Sequence, residues 1–173
     1  MKIDVKYLEN SDIYREVVLN GLLRAKNHLY IATANVKDMY VESEDEYISI
    51  VKKFHELCNR GVEIRLLHSS KPSGPFLKDL QESGLHKMQN FMMRQCVRSH
   101  LKVVIIDGEE VFLGSANFSG AGLGAKQEDR RNFEIGIAST DTTLIDKVSS
   151  FFKMIWNRSF CPGCARKDIC ENA

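Results

Sequence analysis

Apolar and polar positions change period several times along the chain, and each change marks an element. Lys2 to Tyr7 alternates as a half-buried strand does. From Ile13, the apolar residues Val17, Val18, Leu22 and Leu23 recur at helical spacing behind Ser11 or Asp12, either of which suits an N-cap. His28 to Val36 reads as a strand rich in Ile, Thr and Ala. Ser43 to Asn59 reads as a second helix, with Tyr47, Ile48, Val51, Phe54, His55 and Cys58 on one side and Gly61 just beyond its end. Val62 to His68 is an apolar strand. A turn-rich loop, Lys71 to Pro75, leads to a short helix, Phe76 to Ser83, that stops at Gly84. Phe91 to Arg98 reads as extended. Two strands, His100 to Ile106 and Val111 to Asn117, flank an Asp107-Gly108 turn, and after a glycine-containing loop Phe133 to Ala138 forms another strand. Thr140 or Asp141 opens a last helix, with Leu144, Ile145, Val148, Phe151, Phe152, Ile155 and Trp156 facing inward. Helices that alternate with strands before a hairpin predict an α/β sandwich around a mixed sheet.

Composition bounds this picture without changing it. The 173 residues are 43% hydrophobic and 27% charged, the balance of a globular chain. One domain of this size buries roughly 70% of its unfolded surface and needs no staples. A net charge of +1 supplies no global basic field, so an anionic substrate has to meet positive charge locally. No run approaches the about 20 apolar residues of a membrane span, and the first ten residues lack the apolar core of a signal peptide. The expectation is a cytoplasmic protein without a membrane anchor, whose five cysteines are reduced thiols or metal ligands.

The chemistry concentrates in one hairpin. His100 and Lys102 stand two apart on one strand, and Ser115 and Asn117 two apart on the next, so each pair leaves a single face. A Gly108-Glu109 loop would set His100 opposite Asn117 and Lys102 opposite Ser115; an Asp107-Gly108 loop would set His100 opposite Ser115. Both registers gather the four polar residues on one face of an otherwise apolar hairpin. An imidazole there can attack phosphorus to give a phosphohistidine. Lys102 offers charge, and Ser115 and Asn117 offer hydrogen bonds, to oxygens that become more negative in the transition state. A second imidazole is needed to protonate the leaving oxygen. Asp107, five residues from Lys102, has the wrong parity for that face and is expected to serve the turn.

Together His100, Lys102, Asp107, Gly114, Ser115 and Asn117 resemble the HKD signature of the phospholipase D superfamily, and the order of elements from Ile3 to Arg158 is similar to that family's. The resemblance implies an α-β-α sandwich with a mixed central sheet, and a catalytic domain over residues 1–158. It implies an active site built from two HKD copies across a two-fold axis, one histidine attacking and the other donating a proton, with no catalytic metal. Only one HxK occurs among the five histidines, so the second copy has to come from another subunit. Single-copy members of this length resemble the small bacterial endonucleases, which are homodimers. A downstream glutamate in the family hydrogen-bonds the catalytic histidine, and Glu134 on the following strand matches it.

Around this motif the sequence offers further candidates. Arg94 and Arg98 share parity with His100 if the extended run is unbroken, and would then line a phosphate track. Lys126, Arg130 and Arg131 form a basic cluster one loop beyond Asn117, placed for backbone contact with a nucleic acid. Residues 159–173 form a tail with Cys161, Cys164 and Cys170, whose C-x2-C spacing suggests a metal knuckle. Cys58 is the first choice for a fourth ligand, with Cys96 and His55 as alternatives, and four thiolates suit zinc and an iron–sulfur cluster alike. The expected function is a homodimeric nuclease that hydrolyses DNA or RNA. The alternatives are a phospholipase D acting on lipid head groups and a non-catalytic nucleic-acid-binding module.

Overall fold

The computed structural model describes residues 3–43 and 46–170. Lys2, at the head of the first expected strand, and Glu44 and Asp45, within the second expected helix, lie outside the described residues. In chain order the elements are β1 (Lys6–Glu9), α1 (Ser11–Ile13), β2 (His28–Thr33), β3 (Tyr40–Ser43), β4 (Glu46–Ser49), α2 (Ile50–Asn59), β5 (Glu63–His68), α3 (Gly74–Glu82), β6 (Phe91–Gln95), β7 (Val103–Ile106), β8 (Glu110–Gly114), β9 (Ile135–Ser139) and α4 (Thr142–Trp156). The helix begun by α1 widens into a π-helical stretch, Tyr14–Leu19. Seven strands form one sheet in the order β1-β9-β8-β7-β2-β5-β6. The β2/β5 and β5/β6 pairs are parallel and the other pairs antiparallel, so the sheet is mixed, as the alternation of elements requires.

Both faces of the sheet are covered, which is why its central strands read as continuous apolar runs rather than as alternating ones. Leu29, Ile31, Ile64, Leu66, Val104 and Ile106 face a core shared with the N-terminal helical segment, α2 and α3. Tyr30, Ala32, Leu67, Val103 and Ile105 face a second core shared with α4. Asp141 caps α4 by accepting from the Leu144 N–H at 3.0 Å. Phe152 stacks on Tyr30 and Trp156 with ring centroids at 5.3 and 5.8 Å. Phe151, expected to face inward, is instead 47% exposed, at the edge of the apolar stripe beside Phe160.

Two readings of local period are corrected. The helix expected over Ser43–Asn59 is the strand pair β3/β4 followed by a shorter α2. Tyr47 and Ile48 fit both periods, and the decision is tertiary: Tyr47 donates to Glu42 across the pair, and Ser49 caps α2 by accepting from Val51 N–H at 3.3 Å. The extended run expected to Arg98 ends at Gln95, because the chain turns with Ser99 N–H donating to Cys96 carbonyl at 2.9 Å. Arg94 and Arg98 therefore lose their shared parity with His100. No helix among the described residues is long and apolar enough to cross a membrane.

Candidate active site

One edge of the sheet collects the chemistry. The registers place the C-terminal ends of β1, β2, β5, β6 and β8 beside the N-terminal ends of β7 and β9. Thr33, Lys102, Ser115 and Glu134 thus cap neighbouring strands on that edge. β2 is also where the pairing changes from parallel to antiparallel, the kind of switch point where ligands bind in open α/β sheets.

Strands β7 and β8 pair Val103 with Leu113 and Ile106 with Glu110, which leaves a three-residue loop, Asp107 to Glu109. Neither expected register is present. Asp107 and Gly108 both adopt positive φ, 55° and 70°, and that extra residue sets Lys102 opposite Gly114. The four polar residues share the sheet edge because both strands end before reaching them, not because they alternate on one face. Gly114 is a packing requirement: a Cβ there would stand 2.6 Å from the Phe112 ring and 2.7 Å from the Ile135 carbonyl oxygen.

His100 is exposed, and the Lys102 ammonium lies 3.2 and 3.3 Å from its two ring nitrogens and 3.2 Å from its carbonyl oxygen. An ammonium only donates, so it can bond a ring nitrogen only where that nitrogen carries no proton. Burial pulls the Lys102 pKa below the ordinary lysine value, and the charge of Glu134 opposes that pull. Glu134 is itself buried. Its carboxylate accepts from Ser115 Oγ, and from Asn132 Nδ2 at 3.0 Å. The bond from Glu134 to the histidine that the resemblance implies is absent from this arrangement: Glu134 fixes Ser115 and faces Lys102 instead.

Asn117 Oδ1 accepts from Asn35 N–H at 3.2 Å and from Thr33 Oγ1 at 3.4 Å, which fixes the orientation of its amide. Gly122 closes on the same segment, since a Cβ there would collide with the Asn117 backbone. Thr33, Asn35, Asn132 and Asn10, whose Oδ1 accepts from Glu134 N–H at 3.2 Å, are supporting residues that sequence reasoning missed. Only the spacing of Asn132 from Glu134 hinted at any of them. His68 is buried at the end of β5, with Nδ1 3.0 Å from the Ser70 carbonyl oxygen. It stands two strands from β7, about 10 Å by ordinary strand spacing.

Asp107 sits at the opposite edge of the sheet from these groups. Its carboxylate accepts from the N–H groups of Lys26 (2.9 Å), Asn27 (2.7 Å) and His28 (2.9 Å), and so ties the hairpin turn to the start of β2. Burial alone would raise its pKa, but these N–H donors, with the nearby His28, hold it below the ordinary value. A depressed carboxyl contributes stability that is complete above its unfolded pKa and is lost as pH falls through the folded one. Asp107→Ala is expected to lower the unfolding free energy by roughly 1.5–3 kcal/mol at neutral pH. In urea titrations, the gap to the parent protein should shrink as pH falls below about 4. A variant as stable as the parent at neutral pH would contradict this role.

The expected substrate-contact residues are dispersed. Arg94 donates to the Trp156 carbonyl and packs over its ring, 4.8 Å from the centroid. The Arg98 guanidinium points at Cys164 Sγ, 3.6 Å away. Both arginines are turned toward the C-terminal segment. Lys126 and Arg130 are exposed on the loop that leads to Glu134, and Arg131 lines a small cavity there with Asn10 and Asn132. Glu128 and Asp129 interleave with these three bases. Cys58 is corrected as a metal ligand: it lies in the core beside Phe54 with its thiol pushed up to about 11 by burial, on the opposite face of the sheet from α4.

Comparison with known proteins agrees with this geometry. The family described as cardiolipin synthase, PLD-like domain, matches residues 18–156. Cardiolipin synthase 2 of Bacillus cereus is 31% identical over 132 residues, which is 70% of this chain but only 25% of that protein, so the chain spans about a quarter of the length of such curated relatives. Among solved structures, NucT from Helicobacter pylori superposes with a TM-score of 0.64 at 20% identity, covering 90% of this chain and 97% of that one. Nuc from Salmonella typhimurium, a phospholipase D family member, gives 0.63 at 19% identity, covering 90% and 95%. A histidine–lysine pair on the sheet edge, a glycine-tight hairpin and a family match across most of the chain converge: the protein belongs to the phospholipase D superfamily, with a PLD-like domain over residues 18–156.

Proposed function

We propose that the protein is a nuclease that hydrolyses DNA or RNA phosphodiester bonds at a site shared by two copies of the chain. The observation that carries this reading is the openness of the catalytic edge. His100 and Ser115 are exposed on it, and the loop bearing Lys126, Arg130 and Arg131 borders it, so a long polyanion can lie across the site. The edge brings one accessible imidazole, and an in-line displacement needs two. Phe133, 97% exposed beside Glu134, offers a second copy an apolar contact next to the site.

In the first step a His100 nitrogen bonds to phosphorus while the bond to the leaving oxygen breaks. The imidazolium of the second His100 gives that oxygen its proton. In the second step the same imidazole takes a proton from water, whose oxygen displaces His100 from phosphorus. Lys102 and the Asn117 amide neutralise the non-bridging oxygens as charge builds on them. Glu134 holds Ser115 and sets the local field of Lys102. This chemistry asks nothing of a divalent metal.

A second reading follows from the relatives named cardiolipin synthase: the same edge acting on a phospholipid phosphodiester. Labelled single- and double-stranded DNA, RNA and phospholipid vesicles, each incubated with the protein and EDTA, separate the two. Cleavage of nucleic acid with EDTA present is expected. Cleavage of vesicles alone would overturn the nuclease reading, and nucleic-acid binding without cleavage would make the protein a docking module.

A further inference from the structure

Four of the five cysteines come together where the sequence could not place them. Cys96, just past β6, and Cys161, Cys164 and Cys170 of the tail line one cavity of about 220 Å³ beneath α4, and all four are free thiols. The tail is shaped to present them. Arg158, at φ 62°, ends α4, and Cys161 N–H donates to its carbonyl at 2.9 Å. Cys161-Pro162-Gly163-Cys164 then closes a turn, with Cys164 N–H donating to the Cys161 carbonyl at 3.1 Å and Gly163 at φ 73°. Proline second and a left-handed glycine third are the residues of a type II turn. Cys170 returns to the body, with its thiol 3.6 Å from the Gln95 carbonyl oxygen, next to Cys96.

The cavity is prepared for negative charge. Arg98, Arg158, Arg166 and Lys167 line it, and no aspartate or glutamate does. Ser99 Oγ, on a residue 5% exposed that also lines this cavity, has no hydrogen-bond partner among the described residues. A buried hydroxyl left this way costs about 1–3 kcal/mol and calls for an acceptor. Four thiols that line a cavity of about 220 Å³ favour an occupant larger than a single ion. A tetrahedral zinc site needs sulfurs about 3.8 Å apart, from bonds of about 2.3 Å. Among the described residues no group of three or more histidines, cysteines, aspartates or glutamates is placed to hold a metal ion. An iron–sulfur cluster is held by four cysteines around a body several ångströms across.

We propose that Cys96, Cys161, Cys164 and Cys170 are the ligands of an iron–sulfur cluster that pins the tail to the end of β6. Transfer of an assembled cluster onto the four cysteines would release the thiol protons as the thiolates bond to iron, and would supply the folding free energy that a short tail with little apolar surface lacks. The segment from Cys96 to Ser99 runs directly into His100, so the cluster braces the chain that carries the nucleophile.

The test uses the full chain made in iron-replete cells and purified without oxygen. Iron and acid-labile sulfide in equal amounts, with the broad visible absorption of thiolate-bound iron, are expected. Cys96→Ser, Cys161→Ser, Cys164→Ser and Cys170→Ser should each lose at least about tenfold of the iron, whereas Cys58→Ser should retain it. Circular dichroism of each variant separates loss of metal from loss of fold, and Cys170→Ser, at the far end of the tail, perturbs the domain least. Metal-free protein, one zinc per chain without iron, or a Cys96→Ser variant that is folded and keeps its iron would overturn the proposal.

Discussion

His100→Ala is expected to lower kcat by roughly four to six orders of magnitude, the loss seen when a covalent nucleophile is removed from a site whose binding groups remain. The change removes both imidazoles from a shared site, the attacking one and the donating one, so no partial mechanism survives. Stability should move little. His100 is exposed, and among the described residues its side chain meets Lys102, which also bonds the His100 carbonyl. Surface changes of this kind usually stay within about 0.5 kcal/mol. Folded, dimeric His100→Ala with substantial activity would remove His100 from the chemistry. His68, the other histidine on this edge, would then be the residue to test, by His68→Ala.

The second large effect is expected at Lys102. Lys102→Ala should cost about 10²- to 10³-fold in kcat, the range for losing one preorganised stabiliser of transition-state charge. Its pH behaviour carries more information than its size. Burial favours the neutral amine, so the Lys102 pKa lies below the ordinary lysine value. The protonated, useful form is therefore complete well below that lowered pKa and is lost as pH rises through it. The donating imidazolium sets the first alkaline fall of kcat/KM; the limb due to Lys102 lies beyond it and should begin at lower pH than an unperturbed lysine at about 10.4 allows. Glu134→Gln removes the charge that supports the ammonium and should move that limb further down. An alkaline limb indifferent to both substitutions would show that Lys102 does not set the charge at the site.

Much of this site was legible in the sequence, and the parts that were not share a cause. His100, Lys102, Ser115 and Asn117 stood out by spacing and Glu134 by the resemblance, and the sheet edge does gather them. The reason first given for their proximity, alternation on one face of a two-residue hairpin, was wrong, because Asp107 takes a left-handed conformation that spacing does not reveal and lengthens the loop by one. Asp107 is held there by three N–H groups about 80 positions earlier in the chain. Thr33 and Asn35, which aim Asn117, are equally remote in sequence. The β3/β4 pair was taken for helix because Tyr47 and Ile48 satisfy either period, and only the cross-strand bond to Glu42 decides between them. Cys58 was chosen over Cys96 as a partner for the tail because sequence gives no sign of which face of the sheet a buried thiol occupies. Local chemistry and period could be read; long-range partners could not.

The shared site is tested most directly by counting. If two His100 side chains serve one phosphodiester, only one can carry the covalent intermediate while the other acts as acid. Labelled substrate, quenched in alkali during turnover to preserve the acid-labile bond, should leave at most one label on His100 for every two chains, with the protein sedimenting as a dimer. One label per chain, or undiminished activity from a monomer at high dilution, would contradict a site built from two copies.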